Sequence, residues 1–416
     1  MPRPMDVAPA SSRLPDPGLG RGWEASAIVA VTLLLLAFGL VTLYSASAFL
    51  AYQEGRPDYV FAIRQAQGAA VGLVVMVVLA RLPYRVWQWT AWPLVALSVI
   101  ALMMLVVPGL DSRAVEVNGA RRWLDIGIRV QPSEFAKVAI IAWTAMMAVR
   151  KREQFGRLSR GLLPFLLVWG ALLIPVAIQP DLSTAFLMGL LGMLTVFAAG
   201  ARLGHFAFLG LLMSPILWLQ LQVGYRKTRL EDYFLQLRDP LAASSEGAAY
   251  QSYQATVALG SGGLTGTGFG QGRQKFGFLP EPHNDFIFSM IGEEWGFVGV
   301  SLVVVAYLFL IVVGYRIARR APDIFGQLLA LGCVNLVALQ AFLHVGVGVG
   351  LLPTTGLAMP LVSWGRSNLV VTLAVIGILV SVARETDVDW RPGVRKAGRS
   401  KDLARLDRRV RGGSRV

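Results

Sequence analysis

Ten apolar stretches, each long enough or nearly long enough to cross a lipid bilayer, constrain this chain more than any other feature. A transmembrane helix needs about 17 to 25 mainly apolar residues, and only 15% of the residues here are charged, against about 25% in a typical soluble domain. The sequence therefore predicts an all-α polytopic membrane protein. The ten predicted spans are 25–48, 66–81, 87–108, 135–149, 161–178, 182–200, 204–222, 286–314, 325–350 and 367–383.

Arginine and lysine lie mainly in alternate short connectors and in the C-terminal tail. Because such loops stay in the cytoplasm, both termini are predicted to be cytoplasmic. The predicted organisation is a disordered cytoplasmic tail at 1–22, a ten-helix membrane domain at 23–385 and a basic cytoplasmic tail at 386–416. The basic tail is short and has no aromatic platform for nucleic acid. Contact with anionic membrane lipids is the favoured interpretation.

Two long loops on the outward side carry most of the polar residues suited to chemistry. The first is 108–133, and the second, 224–285, is the large extracytoplasmic loop between the seventh and eighth spans. The second loop is rich in glycine where it approaches the eighth span. Non-helical backbone at membrane depth must be buried in protein or line a wet cavity. The functional site is therefore predicted at the outward face.

Asp285 stands where the glycine-rich part of the second loop meets the eighth span. Partial burial there would raise the pKa of its carboxyl group towards neutrality, as a general base requires. Capping of the following helix is the structural alternative. Glu281 and His283 precede Asp285 within five residues, so a divalent cation, Mg²⁺ or Mn²⁺, stays open as a cofactor, although nothing in this spacing fixes a metal geometry.

Other charged residues have both structural and functional interpretations. Glu134 and Lys137, at i and i+3 of the fourth span, predict an ion pair that is either a structural bridge or part of a substrate cavity. Asp181 is predicted to cap the sixth span. Arg273 and Lys275 follow the glycine-rich stretch, where they either neutralise a pyrophosphate or lie at a solvated loop tip.

Short motifs occur in a fixed order along residues 25–385. They are Tyr44-Ser-Ala-Ser47, Asn118-Gly-Ala-Arg-Arg-Trp123, Gln131-Pro-Ser-Glu-Phe-Ala-Lys137, Gln179-Pro-Asp-Leu182, Ala258-Leu-Gly-Ser-Gly-Gly263, Leu279-Pro-Glu-Pro-His283, Asp285-Phe-Ile-Phe288, Ile291-Gly-Glu-Glu294 and Gly350-Leu-Leu-Pro-Thr-Thr-Gly356. In this order they resemble the SEDS glycosyltransferases of bacterial cell-wall synthesis. The run 270–275 is more similar to the cell-division branch of that family than to its elongation branch.

The resemblance implies a peptidoglycan polymerase of the bacterial inner membrane. Its substrate would be lipid II, and inverting glycosyl transfer would release undecaprenyl pyrophosphate. Asp285 matches the acid that this family is thought to use, and Glu134 and Lys137 match a pair in its central cavity. The candidate substrate contacts, whose ranking stays open, are Arg121, Arg122, Gln131, Glu134, Lys137, Asp181, Arg273, Lys275, Glu281, His283 and Ser363.

The resemblance also implies partners and a place in the cell. The family works with a class B penicillin-binding protein, so we expect that partner, other division proteins and membrane lipids at the septum, and no nucleic acid. Three alternatives are a polymerase of the family's elongation branch, a lipid II flippase and a non-catalytic scaffold of the division machinery. A flippase needs polar groups through the whole bilayer, whereas the polar groups here gather on the outward side, which favours chemistry.

The chain departs from the family pattern near the last span. It reads Ser363-Trp-Gly-Arg-Ser-Asn368 where the family usually reads Ser-Tyr-Gly-Gly-Ser-Ser. Arg366 therefore places a cation where glycine would allow close approach. Asn284 stands beside Asp285 where threonine is usual. These differences leave Asp285 in place and alter its expected surroundings.

Overall fold

Long apolar helices make up most of the described structure. In this computed structural model the described residues are 22–389, without 110–113, 118–119, 156–160, most of 203–223 and 239–246. The helices are α1 (Trp23–Gln53), α2 (Val60–Arg81), α3 (Val86–Val106), α4 (Pro132–Lys151), α5 (Leu163–Ile178), α6 (Leu182–Ala198), α7 (Gly224–Arg238), α8 (Gly247–Ser261), α9 (Ile287–Arg320), α10 (Ile324–Gly348) and α11 (Arg366–Asp389).

Nine of the predicted spans correspond to α1–α6 and α9–α11. Seven of these helices are long and apolar enough to cross a membrane, and α5 and α6 are shorter apolar helices. The prediction of an all-α polytopic membrane protein is confirmed. The seventh predicted span, 204–222, lies largely outside the described residues, as do almost all of the two predicted tails, so the count of ten stays a prediction.

A small antiparallel sheet, which the sequence does not predict, occupies the first long loop. It consists of β1 (Ala114–Val117), β2 (Ala120–Asp125) and β3 (Arg129–Val130), with β2 in the centre. Successive side chains of a strand point to opposite faces. Arg121 and Arg122, adjacent in β2, therefore point in opposite directions.

The glycine-rich stretch 262–277, here called the glycine loop, packs into a break in α9. Gly296 has φ 65° and interrupts the helix. The freed carbonyls of Glu293 and Glu294 accept hydrogen bonds from Thr267 N (2.9 Å) and Gly268 N (3.1 Å). In return, Phe297 N donates to the Gly263 carbonyl at 2.9 Å. The loop thus supplies the backbone partners that a helix broken at membrane depth would otherwise lack.

A second non-helical stretch, 349–365, precedes α11 and is called the re-entrant segment. Its Leu361 has φ 68°, which is uncommon for a residue other than glycine. A Cβ atom at Gly39 of α1 would lie 2.6 Å from the Leu361 carbonyl oxygen, so only glycine allows this approach. On the other side, Gln65 of α2 donates to the Ser363 carbonyl at 2.9 Å. The segment is therefore held between α1 and α2.

These stretches lie at one end of the helix bundle, which we call the loop end. It carries the sheet, α7, α8 and the re-entrant segment. The opposite end is tied by charged and polar contacts: Arg316 Nε lies 3.0 Å from Glu24 Oε1, and the Tyr84 hydroxyl donates to Asp323 Oδ2 at 2.9 Å. The polar residues predicted for function lie at, or a few helical turns below, the loop end.

Candidate active site

Asp285 lies at the end of a tight turn that leads into α9. The backbone N–H groups of Asn284 and Asp285 both bond to the Glu281 carbonyl, at 3.1 and 3.2 Å, and Glu281 has φ 50°. The N-cap residue of α9 is Phe286, which makes no side-chain cap. Asp285 therefore does not cap the helix, and the structural alternative for this residue is wrong.

The carboxyl group of Asp285 combines partial exposure with a poorly solvated oxygen. The residue is half-buried, and its Oδ1 is buried without a hydrogen-bond partner among the described residues. Burial and the nearby charge of Glu281 raise the pKa of Asp285 to about 6, while Arg229 and Arg122 act in the opposite direction. A carboxylate with this pKa is mostly ionised at neutral pH and can still accept a proton.

The re-entrant segment holds the turn that carries Asp285. Trp364 N donates to the His283 carbonyl at 3.0 Å, and the Ser363 hydroxyl donates to the Asn284 carbonyl at 2.8 Å. The rings of Phe61 and His283 pack with centroids 5.1 Å apart. Burial lowers the pKa of His283 to about 4, so this imidazole is neutral at pH 7. Ser363 and His283 thus act here by fixing the backbone beside the acid.

Two arginines bring positive charge towards Asp285. Arg122, on β2, donates from Nη2 to the Pro180 carbonyl at 2.9 Å, and Arg229, on α7, donates to the Thr354 carbonyl at 3.4 Å. Arg121 instead pairs with Glu116 at 3.2 Å on the other face of the sheet. Of the two adjacent arginines that the sequence could not rank, Arg122 is the one that acts electrostatically on Asp285.

Asp181 lies in the turn between α5 and α6, whose carbonyl groups accept hydrogen bonds from Arg122. Its carboxylate accepts a hydrogen bond from Thr184 N at 3.2 Å, so the predicted cap of this helix, α6, is confirmed. The carbonyl of Gln179 in the same turn lies 3.4 Å from Arg122 Nε. Asp181 is buried, and its position between α5 and α6 fixes the carbonyl groups that orient the arginine.

The predicted Glu134–Lys137 ion pair is confirmed. Lys137 Nζ lies 2.7 Å from Glu134 Oε1, and the lysine side chain is fully buried. The second oxygen, Glu134 Oε2, accepts from the Asn368 side chain at 3.1 Å. Close by, Gln131 N donates to the Ser367 hydroxyl at 3.1 Å. The start of α4 is therefore joined to the start of α11, directly beyond the re-entrant segment.

Lys275 and Arg273 occupy different surroundings although they are two residues apart. Lys275 is buried and forms an ion pair with Glu294 (2.7 Å) and a hydrogen bond to Ser45 (2.9 Å). Arg273 is exposed, and its backbone N–H donates to Glu293 Oε1 at 2.7 Å. Lys275 thus links the glycine loop to α1 and α9. The Arg273 side chain stays accessible.

The described residues contain no group of three or more histidine, cysteine, aspartate or glutamate side chains arranged to hold a metal ion. His283 Nε2 and Glu281 Oε2 are 3.8 Å apart, which provides two potential donors and no fixed geometry. The side chains of the described residues therefore do not form, on their own, a site that would bind Mg²⁺ or Mn²⁺.

Three contributors to the site were missed by sequence reasoning. Gln65 donates a hydrogen bond to the re-entrant segment, and Asn368 donates one to the Glu134 carboxylate. The charge of Arg229 lowers the pKa of Asp285. Arg229 belongs to a basic run of the large loop, Arg226-Lys-Thr-Arg229. Nothing in the sequence indicated that α7 would direct it towards the Thr354 carbonyl.

Comparison with known proteins identifies the family. The family model described as "Cell cycle protein", which covers FtsW, RodA and SpoVE, matches residues 25–388. The chain belongs to the FtsW/RodA/SpoVE family. It is 39% identical to stage V sporulation protein E of Bacillus subtilis (strain 168), covering 86% of this chain and 96% of that protein. It is 38% identical to a probable peptidoglycan glycosyltransferase FtsW of Geobacter metallireducens, covering 86% and 93%.

Solved structures of FtsW/RodA/SpoVE-like proteins support the same fold. A chain from a structure described as "Structural coordination of polymerization and crosslinking by a peptidoglycan synthase complex" has a TM-score of 0.71 and 27% identity, covering 89% of this chain and 99% of that one. The rod-shape-determining protein RodA of Thermus thermophilus has a TM-score of 0.63 and 27% identity, covering 88% and 98%. The resemblance that the motifs predicted is confirmed.

Proposed function

We propose that this protein is a peptidoglycan glycosyltransferase that polymerises lipid II into glycan strands during septal wall synthesis. The observation that carries the proposal is the Asp285 carboxyl group. It has a raised pKa, an oxygen without a partner among the described residues, and two arginines close enough to act on it. Relatives named as probable FtsW glycosyltransferases support the reaction class and the division role.

In the proposed reaction Asp285 acts as a general base. It takes the proton from the acceptor sugar hydroxyl while that oxygen forms a bond to the anomeric carbon of the donor. The bond from this carbon to the pyrophosphate oxygen breaks, undecaprenyl pyrophosphate leaves from the opposite face, and the configuration inverts. Arg122 and Arg229 would offset the negative charge that develops on the leaving group.

The other predicted contacts divide by position. Glu134 and Lys137 would shape the cavity wall through their paired charges, and Gln131, Asp181, His283 and Ser363 would fix the segments that carry Asp285 and Arg122. Glu281 would tune the pKa of Asp285 by its charge. The contacts of Arg121, Arg273 and Lys275 with a pyrophosphate, and the participation of a divalent cation, are sequence predictions on which this proposed reaction does not depend.

The proposed orientation puts the loop end outside the cytoplasm. Arginines gather at the opposite end, including Arg81, Arg85, Arg319 and Arg320, and positively charged ends remain cytoplasmic. A similar solved chain comes from a complex described as coordinating polymerization and crosslinking. This supports a crosslinking partner, which we propose is a class B penicillin-binding protein, in the bacterial inner membrane.

Reconstitution in liposomes tests the proposal against the flippase and scaffold alternatives. The protein would be incorporated with a class B penicillin-binding protein whose transpeptidase serine has been removed, and supplied with lipid II. We expect long glycan strands on gels and no faster movement of fluorescent lipid II between leaflets than in protein-free liposomes. Rapid movement without glycan would support a flippase, and neither activity would support a scaffold.

A further inference from the structure

A polar cavity of about 420 Å³ lies beside the glycine loop, away from Asp285. It is lined by Ser261, Thr267, Gln271, Arg273 and Glu293. Glu293 is six residues beyond the start of α9, which corresponds to about 9 Å along a helix. Within the described part of the chain, none of the five lining residues forms a hydrogen bond or ion pair with the turn 281–285 that carries Asp285. The cavity is therefore distinct from the site already described.

Among the described residues, the hydrogen bonds inside this cavity leave the Arg273 guanidinium without an acceptor. Glu293 Oε1 accepts from the backbone N–H groups of Arg273 (2.7 Å) and Gln274 (3.2 Å), and the Thr267 hydroxyl donates to the Glu293 carbonyl at 3.0 Å. The Arg273 guanidinium has no ion pair or side-chain hydrogen bond within the described part of the chain. A guanidinium in this state fits a phosphate group with two parallel hydrogen bonds.

Exposed apolar side chains surround the cavity. Leu264, Phe269 and Phe297 are 72%, 45% and 65% exposed, and they belong to the segments that form the cavity wall and the α9 break. Phe269 packs near Trp295, with ring centroids 6.1 Å apart. A polar cavity next to exposed aromatic and aliphatic side chains matches an amphiphile, with its head in the cavity and its chain over the apolar surface.

We propose that this cavity binds the phosphate group of a lipid, with the phosphate on Arg273 and its polar substituent near Gln271. The hydrocarbon chain would lie over Leu264, Phe269 and Phe297. A volume of about 420 Å³ suits a small head group and is too small for the disaccharide-pentapeptide of lipid II. The lipid is either a glycerophospholipid or a polyprenyl phosphate. The site does not depend on the proposed polymerase activity.

Native mass spectrometry of the purified full-length protein tests this site. The test lipids are dioleoyl phosphatidylglycerol, undecaprenyl phosphate and dioleoylglycerol, which carries the same acyl chains without a phosphate. We expect one phosphate lipid to bind and dioleoylglycerol not to bind. Arg273→Gln should lower the affinity for the phosphate lipid at least about tenfold, which is the scale of a lost charge-assisted hydrogen bond. Arg273→Lys should retain part of the affinity.

The matched control is Arg238→Gln, which removes an exposed arginine of α7 that does not line the cavity. Equal melting temperatures would show that the variants are folded. Tighter binding of phosphatidylglycerol identifies a glycerophospholipid site, and tighter binding of undecaprenyl phosphate identifies a polyprenyl site. The proposal is overturned if Arg238→Gln weakens binding as much as Arg273→Gln, or if dioleoylglycerol binds as well as the phosphate lipids.

Discussion

The starts of α4 and α9 each carry an acidic residue at the loop end, and the two residues are held in opposite ways. Both oxygens of Glu134 are occupied, one by Lys137 and the other by Asn368. Asp285 has an oxygen with no partner in the described residues, and the charges of Arg229 and Arg122 lower its pKa. Full pairing suits a carboxylate that joins helices, whereas incomplete pairing leaves a carboxylate able to take a proton.

This difference predicts opposite consequences of substitution. Removing one member of a buried ion pair leaves an uncompensated charge, which costs about 3–5 kcal/mol. Removing the charge of Asp285 relieves a group that burial already disfavours. Variants at Glu134 and Lys137 should therefore lose stability, and variants at Asp285 should lose activity alone.

The largest expected effect is at Asp285. Asp285→Asn should lower the rate of lipid II polymerisation by about 10²–10⁴-fold, the usual contribution of a general base, with an unchanged or slightly higher melting temperature. Rates from labelled lipid II and melting curves from the same preparation provide the check. An active Asp285→Asn enzyme would remove the contrast with Glu134.

The next largest effect is expected when Lys137 is removed from its ion pair with Glu134. Lys137→Met should destabilise the protein by about 3–5 kcal/mol because Glu134 becomes a buried unpaired charge. The double variant Glu134→Gln with Lys137→Met should recover much of that loss. Thermal unfolding in detergent measures both. If the double variant is as unstable as Lys137→Met, the pair contributes more than charge compensation.

A smaller loss of stability is expected at Asn368. Asn368→Ala removes the hydrogen bond to Glu134 Oε2, and such bonds to charged groups contribute about 1.5–3 kcal/mol. Asn368→Ser, which keeps a short polar side chain at this position, should lie between alanine and wild type. The order of melting temperatures tests this, and an unchanged value for alanine would show that Glu134 needs only Lys137.

The two adjacent arginines of β2 sharpen the comparison further. Arg122→Gln should reduce the polymerisation rate about tenfold, the equivalent of about 1.4 kcal/mol of transition-state stabilisation. Arg121→Gln, on the other face of the strand, should leave the rate within about twofold of wild type, because exposed ion pairs contribute little. Equal losses from both would mean that the sheet, rather than one side chain, contacts the substrate.

The sequence predicted the features that depend on near neighbours and missed those that join distant segments. The Glu134–Lys137 pair follows from i,i+3 spacing, and the place of Asp285 follows from the change of composition around it. Asn368 lies 234 residues from its partner Glu134, and Ser45 lies 230 residues from Lys275. Such contacts depend on how the helices pack, which local sequence patterns do not predict.

The sequence pattern also did not predict the backbone hydrogen bonds between distant segments. The glycine loop indicated irregular structure, yet nothing indicated that it would supply the hydrogen bonds missing at Gly296. The short strands of the first loop contain Arg121 and Arg122 beside each other, and only their formation as β2 shows which arginine acts on Asp285. The backbone conformation at Gly296 and in β2 therefore determines these contacts, and residue type alone does not predict them.

The pH dependence of lipid II polymerisation tests the state of Asp285 most directly. Protonated Asp285 cannot accept the hydroxyl proton, so kcat/KM should rise about tenfold per pH unit at low pH and level off above a midpoint near pH 6. His283, with a pKa near 4, stays neutral through this range. A midpoint near 6 supports Asp285 as a buried general base. A midpoint near 4, the ordinary value of an aspartate, or a flat profile would contradict it.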